Sequence, residues 1–144
     1  MWQFAATFFY LGKLPFAPGS WGSLGALILW IFFPSSYLLQ MIMIIILFSI
    51  GVISSKKMAA AMNDHDPSEV VIDEAVGMWI ALFMLPHSIA IYSMAFILFR
   101  IFDIFKPSFI YRVQNLPSGW GIMMDDVLAG IIAWLICQGL LTIL

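Results

Sequence analysis

The sequence predicts an all-α fold: an integral membrane helical bundle of about five transmembrane helices with an interfacial N-terminal segment. Of the 144 residues, 63% are hydrophobic and only 10% are charged, whereas an ordinary soluble domain has roughly 25% charged residues. The six basic and eight acidic side chains are too few and too balanced to form a nucleic-acid surface. The single cysteine, Cys137, excludes an internal disulfide and a Cys-rich metal site. We expect residues 1–144 to form a single membrane-embedded domain.

Apolar runs between turn signals define the expected helices. They cover residues 20–33, 37–55, 66–85, 88–105 and 122–144. The third has the clearest start, because Asp66-Pro67-Ser68-Glu69 is a variant of the capping box with Asp66 as N-cap. That start would place Asp73 and Glu74 about two turns inside the helix. Residues 2–11 are too short to cross a bilayer and are expected to lie at its interface.

Threading these helices through one bilayer places every charged side chain on the same side. The other side receives only the Pro34-Ser35-Ser36 turn, the Pro86-His87 turn and the C-terminus. Because Lys and Arg are enriched in cytoplasmic loops, the charged side is predicted to face the cytoplasm.

A set of carboxylates lies at the predicted membrane boundary. Its members are Asp73, Glu74, Asp103, Asp125 and Asp126. Ionisable groups at such depth are costly unless they are paired or face a polar cavity, so each is a candidate catalytic or metal-binding residue. Only three basic residues lie close to them in sequence, namely Arg100, Lys106 and Arg112, so a divalent cation would be needed to neutralise the excess negative charge. Hard oxygen ligands favour Mg²⁺ over zinc for this role. The alternative interpretation is that these are ordinary interfacial charges at helix ends.

Two further patterns suggest one site rather than scattered charges. Arg100, Asp103 and Lys106 recur every three residues and so share a helix face. Gly77 and Gly130 each follow an acidic pair by about one turn, where a small residue lets helices approach closely in lipid.

A phosphate-binding loop is predicted before the first long apolar run. Two glycines and two serines meet there at a helix start, whose backbone N–H groups can cradle a phosphate. The candidate phosphate ligands are Lys13, Ser20, Gly22, Ser23, Arg100 and Lys106. No histidine or cysteine is placed to act as a nucleophile, which leaves metal-assisted hydrolysis or phosphoryl transfer.

Two other classes of membrane protein also use carboxylates. A transporter or ion-conducting subunit would need ionisable groups near the bilayer midplane, and no predicted span carries one there. A CDP-alcohol phosphotransferase would carry an ordered Asp-Gly and Ala-Arg spacing, which is absent from this chain.

Four blocks of sequence resemble the phosphatidylglycerophosphatase A family of bacteria. They are GKLPFAPGSWGSL ending at Leu24, VIDEAVGMW over 71–79, FRIFDIFKP over 99–107 and GWGIMMDDVLAG over 119–130. The blocks follow one another in family order over nearly the whole chain. Ser20 is a departure, since Thr is expected there in many relatives, but the hydroxyl is kept.

The resemblance implies a multi-pass, Mg²⁺-dependent lipid phosphatase of the bacterial inner membrane. Its expected reaction is hydrolysis of phosphatidylglycerophosphate to phosphatidylglycerol and inorganic phosphate, with the acyl tails remaining in the lipid. The five carboxylates would bind Mg²⁺ or orient water, and Lys13, Arg100 and Lys106 would hold phosphate oxygens. Direct attack by water and an aspartyl-phosphate intermediate both stay open, as do the number of metal ions and the oligomeric state.

Overall fold

A computed structural model describes residues 1–117 and 119–144. These residues form a bundle of helices. They are α1 (Trp2–Ala6), a 3-10 turn (Leu11–Lys13), α2 (Pro18–Ile31), α3 (Tyr37–Met62), α4 (Ile72–Leu82), α5 (Ile89–Phe105), α6 (Ser108–Val113) and α7 (Gly119–Ile143). The described residues contain no strand, which confirms the all-α class.

The expected count of about five spans is not confirmed. Within the described parts of the chain, α3 with 26 residues and α7 with 25 are the helices long and apolar enough to cross a membrane. By contrast, α2 has 14 residues, α4 has 11 and α5 has 17. At 1.5 Å per residue, α4 is only about 16 Å long, roughly half of the ~30 Å hydrocarbon thickness.

The predicted start of the third long helix at Asp66 is wrong, because α4 begins at Ile72. The Asp64 side chain accepts a hydrogen bond from the Asp66 backbone N–H at 3.2 Å, which favours a turn over a helix cap. The Val71 N–H then donates to the Ala6 carbonyl at 3.0 Å, tying this segment to the end of α1. As a result, Asp73 and Glu74 lie in the first turn of α4, where the helix dipole favours carboxylates.

Helix α4 forms the centre of the bundle. Nine of its 11 residues are buried, and it contacts α2, α3, α5 and α7. The Trp79 indole N–H donates to the Ala26 carbonyl of α2 at 2.9 Å, and the Trp134 indole of α7 donates to the Phe83 carbonyl at 2.7 Å. These bonds pair buried polar groups that would otherwise be costly in an apolar interior.

Helices α4 and α7 touch backbone to backbone at Gly77 and Gly130, as their sequence positions predict. A methyl group on Gly130 would collide with the Gly77 carbonyl oxygen, and one on Gly77 would lie 2.6 Å from the Asp126 carbonyl oxygen. Glycine is required at this crossing because any larger residue would force the helices apart.

The end of the bundle opposite the first turn of α4 holds the two predicted turns. The Ser35 hydroxyl lies 3.4 Å from His87 Nε2, and the Tyr92 hydroxyl lies 3.0 Å from His87 Nδ1. The 34–36 and 86–87 turns therefore share one end of the molecule, as the threading of the sequence predicted.

We expect Gly130→Ala to destabilise the protein, because its methyl group cannot be accommodated without separating α4 from α7. Overpacking of this kind costs about 1–3 kcal/mol, which thermal unfolding in detergent would detect as a lower Tm. Gly139→Ala is the matched control on the same helix, since a methyl group there meets no atom within 4 Å. Equal Tm values for the two variants would show that the crossing does not need glycine.

Candidate active site

A polar cavity of about 310 Å³ opens at the N-terminal end of α4. Its walls come from the start of α2, the segment before α4, the first turn of α4, the end of α5 and α7. The lining residues are Ala17, Pro18, Gly19, Asp66, Pro67, Ser68, Val70, Asp73, Glu74, Arg100, Asp103, Lys106 and Asp126. The fold thus gathers charged residues that are distant in sequence.

Three carboxylates form a tight group beside this cavity. Asp73 of α4 and Asp125 and Asp126 of α7 are all buried, and each offers an oxygen within 4.8 Å of the others. The Gly77–Gly130 crossing explains this proximity, because each glycine lies one helical turn beyond an aspartate of the group. Such a set of hard oxygen donors could hold a divalent cation.

Several buried polar atoms at the cavity have no hydrogen-bond partner among the described residues. They are Asp73 Oδ1, Glu74 Oε2, Asp126 Oδ2 and Arg100 Nε. Uncompensated buried carboxylates are costly, and a bound cation would remove that cost. The residues present therefore fit a metal ion.

Asp125 differs from the other two aspartates because both of its oxygens are paired. Its Oδ2 accepts from Lys106 Nζ at 2.6 Å and from Gln114 Nε2 at 2.9 Å, and its Oδ1 accepts from the Asp126 N–H at 3.0 Å. Asp125 also does not line the cavity. Its observed contacts hold Lys106 in place. The sequence analysis did not predict a role for Gln114, because only the folding of the chain brings it to Asp125.

The cationic side chains of α5 face the same cavity. Arg100 and Asp103 share a helix face, as their spacing predicts, and their side chains form an ion pair. Lys106 ends α5 with a left-handed backbone, at φ 35°, and reaches α7. Burial alone would lower the pKa of Lys106, but the hydrogen bond to Asp125 and the surrounding carboxylates raise it above its ordinary value. Lys106 therefore stays positively charged at neutral pH.

Asp66 is a second residue that sequence reasoning did not place in the site. It lines the cavity from the segment before α4. Partial burial and the nearby Asp125 raise the pKa of Asp66 above its ordinary value. In the sequence, Asp66 followed by Pro67 is typical of a helix N-cap. That interpretation did not predict that Asp66 lies beside the other acids.

The predicted phosphate loop lies only partly at the cavity. Pro18 and Gly19 line it, whereas Ser20, Gly22 and Ser23 do not. The Ser23 hydroxyl donates to the Gly19 carbonyl at 2.8 Å, and Gly22 packs against Val71.

Lys13 lies away from the cavity, exposed, with its ammonium 5.4 Å from the centroid of the Tyr10 ring. Of the six predicted phosphate ligands, the structure therefore brings Arg100 and Lys106 to the carboxylates.

Gly19 is the residue of this loop that meets the charged groups. A methyl group at this position would collide with Glu74 Oε1 and lie 3.1 Å from Arg100 Nη1. The start of α2 therefore covers Glu74 and Arg100 with bare backbone. The sequence contains no signal that separates Gly19 from its neighbours, because the close contact arises only when α2 packs on α4.

Buried carboxylates beside fixed cations, at one end of an apolar helical bundle, are suited to a membrane-associated enzyme of phosphoryl-group chemistry. The phosphatidylglycerophosphatase A family profile matches residues 4–141. The chain belongs to this family and is a phosphatase, which confirms the resemblance seen in the sequence.

Individual relatives cover most of the chain. Phosphatidylglycerophosphatase A of Escherichia coli is 37% identical over 92% of this chain and 78% of its own length. The Haemophilus influenzae protein of the same name is 41% identical over 89% and 81%. A Bacteroides thetaiotaomicron protein with the provisional name phosphatidylinositol-3-phosphatase is 41% identical over 90% and 87%. No solved structure gives a significant match.

We expect Asp126→Asn to weaken metal binding without unfolding the protein, because the amide keeps the volume and removes one of the crowded charges. In EDTA its Tm should equal or exceed that of the unchanged protein. Added Mg²⁺ should raise the Tm of the unchanged protein by ligand linkage and raise that of the variant much less.

Asp64→Asn is the control for this experiment, since Asp64 is exposed and outside the cavity. Its Mg²⁺-dependent rise in Tm should match that of the unchanged protein. An equal Mg²⁺-dependent rise in the Tm of Asp126→Asn would show that Asp126 does not bind the metal.

Proposed function

We propose that this protein hydrolyses phosphatidylglycerophosphate to phosphatidylglycerol and inorganic phosphate, with Mg²⁺ as its cofactor. The observation that carries the proposal is the group of buried carboxylate oxygens without partners, one each on Asp73, Glu74 and Asp126, at the cavity that Arg100 and Lys106 also line. The names of the Escherichia coli and Haemophilus influenzae relatives support the choice of substrate.

Asp73 and Asp126 would hold the metal, with Glu74 close by, because their unpartnered oxygens lie at the cavity. When bound, Mg²⁺ supplies charge neutralisation at the phosphoryl oxygens and makes nearby water more acidic. Asp125 adds negative charge to this group but is already paired with Lys106 and Gln114. We assign it mainly to positioning, and we assign Asp103 to orienting Arg100.

Arg100 and Lys106 would bind the phosphate of the substrate. Each is fixed by a carboxylate, Arg100 by Asp103 and Lys106 by Asp125. The unpartnered Nε of Arg100 remains to donate a hydrogen bond. Cations held in advance of the reaction stabilise the charge on the transferring phosphoryl group without reorganising.

We propose that the substrate is hydrolysed by direct attack of water. A bond forms between the water oxygen and phosphorus while the bond from phosphorus to the lipid oxygen breaks. A carboxylate without a donor, such as Glu74, accepts the proton from water, and the lipid oxygen leaves with a proton from solvent. The products are the lipid alcohol and inorganic phosphate.

The ion-transport alternative is less favoured. A conduction pathway needs ionisable groups near the membrane midplane, whereas the charged residues described here gather at one end of α4. A second phosphatase substrate has better support, since the Bacteroides relative is named for phosphatidylinositol 3-phosphate. That lipid therefore belongs in the assay as a comparator.

The proposed location is the bacterial inner membrane, with the cavity facing the cytoplasm and residues 1–144 forming one domain. The lysines and arginines at or near the cavity end support this orientation through the positive-inside rule. The short helices α2, α4 and α5 would be surrounded by α3, α7 and lipid. A phosphate group at the interface could then reach the cavity from the bilayer side.

The proposal predicts Mg²⁺-dependent release of phosphate from phosphatidylglycerophosphate by the purified protein. Arg100→Lys should lower kcat/KM by about 10² to 10³, because Lys keeps the charge but loses the planar fork that binds phosphate. Its Tm should stay unchanged, since Lys can still pair with Asp103.

Arg112→Lys is the matched control, because Arg112 is exposed and outside the cavity. It should retain full activity. No release from phosphatidylglycerophosphate, or release from phosphatidylinositol 3-phosphate alone, would contradict the proposed substrate. Full activity in Arg100→Lys would contradict the phosphate-binding role.

The proposed orientation predicts different labelling of two introduced cysteines. Ser35→Cys lies at the end opposite the cavity and should react with an impermeant thiol reagent added to intact cells. Asn115→Cys should react only after the membrane is opened. The native Cys137 is buried and should remain unlabelled. Labelling of Asn115→Cys in intact cells would reverse the orientation.

A further inference from the structure

A second cavity, almost wholly apolar, lies on the other side of the segment that leads into α4. Its volume is about 330 Å³, and it is lined by residues of α1 and the two phenylalanines that follow it, of α2 and its C-terminal end, of α3 and of α4. We propose that this cavity binds an acyl chain of the lipid substrate. The inference rests on the proposed function, since it names how the same substrate is held.

The chemistry of the walls favours hydrocarbon. Phe8, Phe33 and Trp79 contribute aromatic surface, and the rings of Phe33 and Trp79 lie 4.7 Å apart. The one indole N–H in the lining, that of Trp79, already donates to the Ala26 carbonyl. A ligand with polar groups would find no free side-chain partner in these walls, whereas an acyl chain needs none.

The shape of the cavity follows the helix axes. Ile72 and Trp79 lie two turns apart on α4, and Met43, Ile46, Leu47 and Ile50 lie on one face of α3 over the same number of turns. Seven residues of helix span about 10 Å. The cavity therefore runs from the level of the active site toward the opposite end of the bundle, the direction in which lipid tails would extend.

The cavity is open on the side where lipid would surround the bundle. Met43, Ile46 and Ile50 of α3 remain exposed at its rim, as do Phe4 and Phe9 of the N-terminal segment. An acyl chain could therefore enter laterally from the bilayer without crossing a polar surface.

Continuity with the active site singles out the substrate as the occupant. Ile72 lines the apolar cavity and the next residue, Asp73, lines the polar one. The two cavities therefore both reach the first turn of α4. A lipid with its phosphate beside Asp73 has acyl chains near enough to lie along α4 against Ile72 and Trp79.

The test is to fill the cavity by Ile46→Trp and compare two substrates. One is long-chain phosphatidylglycerophosphate in nanodiscs, and the other is the same headgroup without acyl chains. For the long-chain lipid, kcat/KM should fall by about 10-fold, the order expected when an apolar subsite is lost. For the deacylated compound it should match that of the unchanged protein.

Ile45→Trp is the matched control, because Ile45 is an adjacent exposed isoleucine of α3 that does not line the cavity. It should hydrolyse both substrates normally. Equal behaviour of the two variants, or an equal loss on both substrates in Ile46→Trp, would overturn the inference. If the unchanged protein hydrolyses neither substrate, the proposed function fails instead.

A direct readout uses substrate with a photoreactive diazirine near the end of one acyl chain. Crosslinks mapped by mass spectrometry should concentrate on Met43, Ile46 and Phe33. Crosslinks spread equally over Met41 and Ile45, which are exposed on other faces of α3 and do not line the cavity, would show that the tails lie in bulk lipid and would overturn the inference.

Discussion

The contact between the backbones of α4 and α7 is the constraint on which the rest of the molecule depends. Gly77 and Gly130 let the two helices touch. The aspartates one turn before them, Asp73 and Asp126, therefore lie close together in the buried interior. Wider separation would leave Asp73 and Asp126 in different environments. The packing force here is close contact in an apolar medium, where small residues allow what larger side chains prevent. The helix crossing and the candidate active site are therefore one structural feature.

That crossing creates an electrostatic cost that the surrounding residues relieve only in part. Asp103 and Asp125 are paired with Arg100 and Lys106, and Gln114 adds a further hydrogen bond. The oxygens left without partners belong to Asp73, Glu74 and Asp126. The carboxylates are therefore of two kinds: Asp103 and Asp125 orient cationic side chains, whereas the others have oxygens that could bind a cation. Stability given up at such a site is a common consequence of function.

Helix α4 is short, and its residues line both the polar cavity and the apolar one. Because the helix spans about half of a bilayer's hydrocarbon core, its N-terminus and its dipole lie inside the bundle rather than beyond it. The acidic first turn thus meets the helix end that favours negative charge. The same helix presents Ile72 and Trp79 to an apolar cavity. In the proposed complex with substrate, this one helix would contact both the lipid headgroup and its tail.

Several features of the protein follow from the sequence alone. Composition predicts an apolar helical bundle, the spacing of Arg100 and Asp103 predicts that they share a helix face, and Gly77 and Gly130 predict a close crossing. The four sequence blocks indicate the family, which the comparisons confirm. These features are local in the chain or depend on residue type, so neighbouring residues are enough to determine them.

Only the tertiary structure decided the start of α4, the length of the helices and the membership of the site. Asp66 formed a local turn with Asp64 in place of a helix cap, and the bond from Val71 to Ala6 delayed the helix to Ile72. Gly19, rather than Ser20 or Ser23, met Glu74 and Arg100. Gln114 reached Asp125 through a connection whose path no pattern specifies. Each outcome depends on contacts between segments far apart in sequence, and local propensity carries no information about which of these segments will meet.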